Sequence, residues 1–217
     1  NLAFTLRDQV GLAAWTVSPT QTVLLAAESN YEDSAPRPSS VRSVRSVRSV
    51  HSVRASAPLP GSEPLPEFPA LDAAAGPIAL ADIHGEGRLD LFVGGRVAAG
   101  RYPEPVASRI FTHGATGFRP DLRHDAVLDR IGLVSGAVFA DLDGTGRPDL
   151  VLATRWGPIR VLRNNAGTLT DITAELGLDR YPGWWNGVVA GDFDGDGRLD
   201  LAAPNWGRHT RYPPGLA

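Results

Sequence analysis

The residues of this chain whose type and spacing could do chemistry are aspartates at positions 1, 3, 5 and 9 of a glycine-bracketed loop. The fullest copy is DFDGDGRLD at 192–200, with Asp192, Asp194, Asp196 and Asp200. A hard divalent cation such as calcium takes six to eight oxygen ligands at about 2.3–2.6 Å. Carboxylates at positions 1, 3 and 5 of a tight loop can converge on one point, and the backbone carbonyl at position 7, that of Arg198, is the expected further ligand. Asp200 closes the shell. Gly197 permits the sharp turn because glycine accepts positive φ. Carboxylates crowded this way repel one another, so the loop is expected to be loose when empty and ordered when filled. The plainer alternative is an acidic Asp-Gly turn.

Two more copies share the frame. DLDGTGRPD at 141–149 keeps Asp141, Asp143 and Asp149 but has Thr145 at position 5, where a hydroxyl or a water would serve with lower affinity. DIHGEGRLD at 82–90 keeps Asp82 and Asp90 but has His84 and Glu86 at positions 3 and 5. Imidazole is a poor calcium ligand and Glu is one methylene longer, so this copy reads equally well as a metal-free structural turn. An EF-hand closes its loop with Glu at position 12 and flanks it with helices. Here the closing residue stands at position 9 and LAAP follows, which reads as strand.

These loops need elements to hold them. Short apolar runs at 78–81, 137–140 and 188–190 lead into the loops, and runs at 89–93, 150–153 and 199–203 lead out. Further strands are expected at 109–111 and 160–162, with hairpin turns at 113–117 and 164–167 and one helical turn at 171–176. Each repeat is thus mostly β, and repeated β units of this length suit propeller blades.

The repeat signal also divides the chain. RYP recurs at 101–103 and 211–213, and Gly-Leu pairs at 132–133 and 177–178 precede the second and third loops. Residues 1–34 read as the tail of a preceding repeat plus a strand-like segment. Residues 35–75 are rich in Pro, Ser and Arg and hold a tandem Ser-Val-Arg run at 40–54. Valine at every third residue fits neither the strand nor the helix period, so 35–75 is read as a disordered linker rather than a basic docking segment. Residues 76–217 then hold three repeats. The expected fold is all-β, a partial β-propeller with a disordered insertion; with fewer than the usual four to eight blades, it would leave open strand edges.

Composition narrows the function. Of the 217 residues 42% are apolar, enough for a sizeable core, and the net charge of −3 argues against a nucleic-acid binder. All 21 basic residues are arginine, read as base composition, and cysteine is absent, which removes disulfides and thiolate chemistry. No apolar run is long enough for a membrane span. With no methionine, the chain is read as a fragment or a processed product, a monomer or part of a longer chain.

The frame D-x-D-G-D-G-x-x-D, led by an apolar strand and followed by Leu-Asp-Leu, resembles the FG-GAP/VCBS repeat of integrin α-subunit propellers and exported bacterial proteins. The stretch from WWNG at 184–187 to NWG at 205–207 resembles bacterial members associated with ASPIC/UnbV regions. The resemblance covers 76–217 well and 1–12 weakly. It implies a propeller fold, Ca2+ held by Asp192, Asp194, Asp196 and Asp200, and an extracellular, periplasmic or cell-surface location. The expected role is a calcium-binding interaction scaffold for a protein or glycan partner. The alternatives are a purely structural repeat and an enzyme or lectin-like module acting on polysaccharide. Trp156, Tyr181, Trp184, Trp185, Trp206 and Tyr212 cluster late in the chain and could stack on sugars, although packing between sheets is the commoner use. A polysaccharide enzyme would need a carboxylate pair outside the metal loops, for which Glu104, Asp125 and Glu175 are the loose candidates. Ser108, Ser135, His113 and His124 show no spacing that links a nucleophile to a base.

Overall fold

The computed structural model describes residues 9–18, 21–28, 40–46, 73–98, 100–114 and 117–206. Four antiparallel sheets follow one another along the chain. The first contains β1 (Gln9–Ser18), β2 (Gln21–Glu28) and β3 (Ser40–Ser46). The second runs β4 (Ala74–Ala81), β5 (Asp90–Val97), β6 (Arg109–Gly114) and β7 (Gly117–Pro120) in sequence order. A 3-10 turn at Leu122–His124 and a one-turn helix α1 at Asp125–Leu128 lead to the third sheet. That sheet holds β8 (Leu133–Ala140), β9 (Asp149–Gly157), β10 (Arg160–Asn165) and β11 (Thr168–Asp171), with β12 (Gly183–Trp184) joining the far end of β9. β13 (Val189–Gly191) and β14 (Asp200–Ala202) pair as the fourth.

The sequence explains this plan. Each Asp loop joins two paired strands, and the residue just before the loop faces its closing aspartate: Ala81 faces Asp90, Ala140 faces Asp149, and Gly191 faces Asp200. The loop is therefore a hairpin connection repeated three times. Apolar residues run continuously along β5 (LFV at 91–93) and β9 (LVLA at 150–153) because both faces of these middle strands are covered, and all seven residues are fully buried. Leu91, Val93, Phe111 and Phe118 of the second sheet pack with Leu25 and Ala27 of the first. Phe92 and Ile110, on its other face, pack with Leu150, Leu152 and Leu162 of the third. Val151 and Val161 pack with Val188, next to the fourth. Each sheet thus shares one core with its neighbour, and β4 lies against β1 and β8, while β13 lies against β8.

The all-β expectation holds, with one short helix added. Two boundaries differ. Within 35–75, expected to be a disordered linker, Ser40–Ser46 forms β3 and pairs with β2 along its whole length. A backbone ladder requires no side-chain period, so an edge strand escapes a test based on alternation, and arginine is the type of residue that edges favour. Ala74 and Ala75, also assigned to the linker, are buried in β4. Residues 47–72, most of the Ser-Val-Arg run's remainder, lie outside the described residues, as do the N-terminal residues 1–8. The helical turn expected at 171–176 exists as a single turn closed by Leu176 N–H on Ile172 O at 3.1 Å.

Candidate metal centre

All three loops are shaped by the same hydrogen bonds. Asp192 Oδ1 accepts from Gly195 and Asp196 N–H at 2.7 and 3.1 Å, and its Oδ2 accepts from Gly197 N–H at 2.9 Å. Asp141 accepts from Thr145 and Gly146 N–H at 3.0 and 2.8 Å. Asp82 accepts from Glu86 and Gly87 N–H at 2.9 and 2.7 Å. The closing aspartates repeat a second bond: Asp200, Asp149 and Asp90 each accept the N–H of loop position 2, from Phe193, Leu142 and Ile83, at 3.0, 3.2 and 3.2 Å. The position-6 glycines 87, 146 and 197 all take φ between 75° and 85°. Positions 1 and 9 thus fix the turn by accepting backbone donors, and a cation is not the sole source of its shape.

Positions 3 and 5 separate the copies. In the third loop, carboxylate oxygens of Asp192, Asp194 and Asp200 lie within 4.8 Å of one another. Asp196 is not among them: its Oδ1 accepts Arg198 N–H at 2.8 Å. The second-loop set Asp141, Asp143 and Asp149 forms no such group among the described residues. Asp143 accepts from Thr145 N–H at 3.2 Å, as Asp194 does from Asp196 N–H at 3.1 Å, and bonding to Thr145 holds the Asp143 pKa below the usual carboxylate value. Burial raises the pKa of Asp149, against the N–H bonds from Asn164 and Leu142.

The first loop turns its variant residues elsewhere. Glu86 pairs with Arg88 in solvent. His84 turns inward, where its Nε2 stands 3.0 Å from Asp121 Oδ2 and 3.7 Å from Asp90 Oδ2. His124 Nε2 is 3.4 Å from the same Asp121 oxygen. His84, Asp121 and His124 form the second convergent group among the described residues. Burial raises the Asp90 pKa to about 6, partly offset by His84 and the Ile83 N–H. Burial pushes Asp121 upward too, but hydrogen bonds from Arg123 outweigh it and hold that carboxyl below its usual value. Asp121 was not singled out by sequence, and His124 was weighed only as a catalytic group. The available signal was the Asp-x-x-His spacing: with three residues per turn, a 3-10 turn puts both side chains on one side.

Glu104, Asp125 and Glu175 are not brought together. Each pairs with a different arginine, Arg101 at 3.3 Å, Arg109 at 3.1 Å and Arg163 at 3.9 Å. None of them lines the cavities of about 410 and 230 Å³. The late aromatics do cluster. Trp184 and Trp206 stack with ring centroids 5.4 Å apart, Trp156 meets Trp184 edge-on at 4.9 Å, and the Arg155 guanidinium sits 5.0 Å over Trp184. Trp206 is 55% exposed, while Trp185 packs against the core beside Val188. Tyr212 lies outside the described residues.

Residues 141–203 match the FG-GAP-like repeat family, a span running from the second loop through the third to just past β14. No curated protein matches the chain by sequence.

Proposed function

We propose that this chain is a calcium-binding β-propeller repeat module that serves as an extracellular or envelope interaction scaffold. One observation carries the metal assignment: Asp192, Asp194 and Asp200, at three frame positions of an FG-GAP-like repeat, offer oxygens within 4.8 Å of one another. Two oxygens on one calcium ion stand at most about 5 Å apart, given ligand distances of 2.3–2.6 Å, so the group fits a single hard cation. A bound cation would tie the end of β13 to the start of β14. Asp196 and the Arg198 carbonyl are the remaining frame ligands, and the second loop, with Asp141, Asp143 and Asp149, is the weaker site.

The propeller reading is supported by consecutive antiparallel sheets that share cores in order along the chain. Among the described residues no helix is long and apolar enough to cross a membrane. The interaction role draws on the exposed ring of Trp206, backed by the half-buried Trp184, where a flat glycan face or a partner side chain could stack. The lectin-like alternative rests on the same ring.

Calorimetric titration of the whole chain with calcium tests the assignment. The wild-type protein is expected to bind at a site that Asp192→Ala and Asp194→Ala abolish. Unchanged heats in both variants would refute it.

A further inference from the structure

We propose a second metal site, of a different chemical class, between the second and third sheets: a divalent transition-metal site of the zinc type formed by His84, Asp121 and His124. The three donor atoms are His84 Nε2, Asp121 Oδ2 and His124 Nε2. The carboxylate oxygen stands 3.0 Å from one ring nitrogen and 3.4 Å from the other. Zinc holds nitrogen and oxygen ligands at about 2.0–2.1 Å, which in a tetrahedron puts neighbouring donors about 3.3 Å apart. Both carboxylate–imidazole spacings match those of a zinc tetrahedron, and all three donors lie within 4.8 Å of one another. Imidazole nitrogen suits zinc and its first-row neighbours, whereas calcium prefers oxygen.

Two features of the site point to a cation as its ligand. His124 is fully buried, and neither of its ring nitrogens has a hydrogen-bond partner. Buried polar groups are normally paired, and this one aims its Nε2 at the Asp121 carboxylate. The second feature is a conflict at His84 Nε2. It lies 3.0 Å from a carboxylate oxygen, which only accepts, and 2.8 Å from the Arg123 Nη2, which only donates. A single ring nitrogen can satisfy one of these neighbours. A cation in place of the Arg123 guanidinium satisfies both the imidazole lone pair and the carboxylate.

Arg123 is accordingly a stand-in for that cation. It also bonds Asp121 through Nε and Nη2 at 2.9 and 2.8 Å, and its side chain is 58% exposed, so solvent can take the guanidinium when a cation displaces it. His84 and Arg123 line the cavity of about 230 Å³, whose rim also carries Asp82, Glu86 and Asp90. Arg88 and Arg119 share this lining with Arg123 and balance the three carboxylates, so the cavity supplies access to His84 rather than a charged funnel. Asp90 Oδ2, 3.7 Å from His84 Nε2, adds negative charge beside the ligands. In this reading the first loop has exchanged one metal chemistry for another: histidine at position 3 leaves the calcium frame and joins a site on the neighbouring turn.

The test uses the whole chain, stripped with chelator, then titrated with Co2+ and Zn2+ in excess calcium so that the third loop does not compete. One equivalent of Co2+ is expected to give the intense visible absorption of a tetrahedral N/O site, bleached by one equivalent of Zn2+. Asp192→Ala should keep this spectrum, which separates the site from the calcium loop. His124→Leu should weaken Co2+ at least ~100-fold, beyond the cost of losing an outer-shell partner. Should that core variant fail to fold, His84→Asn, at the loop, carries the same expectation. Arg123→Gln should tighten binding roughly two- to fivefold, the scale of removing a half-exposed ion pair. The absence of a tetrahedral spectrum, its survival in folded His124→Leu or His84→Asn, or weaker binding in Arg123→Gln would each overturn the proposal.

Discussion

The loops at 82–90 and 192–200 share one frame, one pair of capping aspartates and one turn conformation, yet they stand in opposite surroundings. Asp90 is 4% exposed and Ile83 1%, because the third sheet covers the first loop. Phe193, the counterpart of Ile83, is 60% exposed. Asn164 of β10 makes the difference: its Nδ2 donates to Ile83 O and Pro148 O at 2.9 and 3.2 Å, and its Oδ1 accepts Gly167 N–H at 2.8 Å. The lesson is that positions 1 and 9 shape the turn whatever surrounds it. Position 3 is then free to follow its environment, a hard carboxylate in the open and an imidazole under cover, while position 5 stays in solvent in both.

The comparison breaks most severely at the clamp. Asn164→Ala leaves the buried Ile83 carbonyl and Gly167 N–H without partners, at about 1–3 kcal/mol each, so a loss of roughly 3 kcal/mol is expected in denaturant unfolding. Hydrogen exchange gives the sharper readout. Amides of the first loop should exchange faster, while those of 193–197 keep their wild-type rates. Equal acceleration in both loops would show that the clamp is not local.

Much of this was legible in the residues, because backbone-determined features leave local marks. The Asp-Gly frame located three hairpins, and the apolar runs 91–93 and 150–153 marked strands covered on both faces. What escaped notice depended on tertiary context. β3 pairs through a backbone ladder with no side-chain period to reveal it. The inward turn of His84 depends on Asp121 and His124, far along the chain and brought close only when β4 to β7 fold back. Asp196 fits the frame by spacing but bonds the Arg198 amide instead, a choice between two local partners that spacing does not decide.

A smaller effect separates the closing aspartates by pH. In chelator, burial holds the folded Asp90 pKa at about 6, above an unfolded value of about 3.9. The folded state then binds the extra proton, so this group's favourable contribution is fully present below the unfolded value. It is lost as pH rises through 6. Asp90→Asn keeps an acceptor for the Ile83 N–H and removes the titration. The variant is expected to exceed wild type by ~2 kcal/mol at pH 8, with the gap shrinking as pH falls to 5. Urea unfolding at a series of pH values checks this, and a constant gap would refute it.

The smallest expected difference is the most telling about what the frame is for. Asp82→Ala and Asp192→Ala remove the same cap, two or three exposed backbone donors losing one carboxylate. A lost cap of this kind costs about 1 kcal/mol, so in chelator the two variants should unfold within a few tenths of a kcal/mol of each other. If the position-1 aspartate had only the structural role, adding calcium would leave that equality intact. If the open loop binds calcium and the covered loop does not, calcium stabilises Asp82→Ala as it does wild type and leaves Asp192→Ala behind. The gap that opens between the variants on adding calcium therefore measures function alone, because the shared cap cancels. Equal stabilisation of the two variants would mean that the exposed carboxylates of 192–200 are an acidic turn, as the covered copy is.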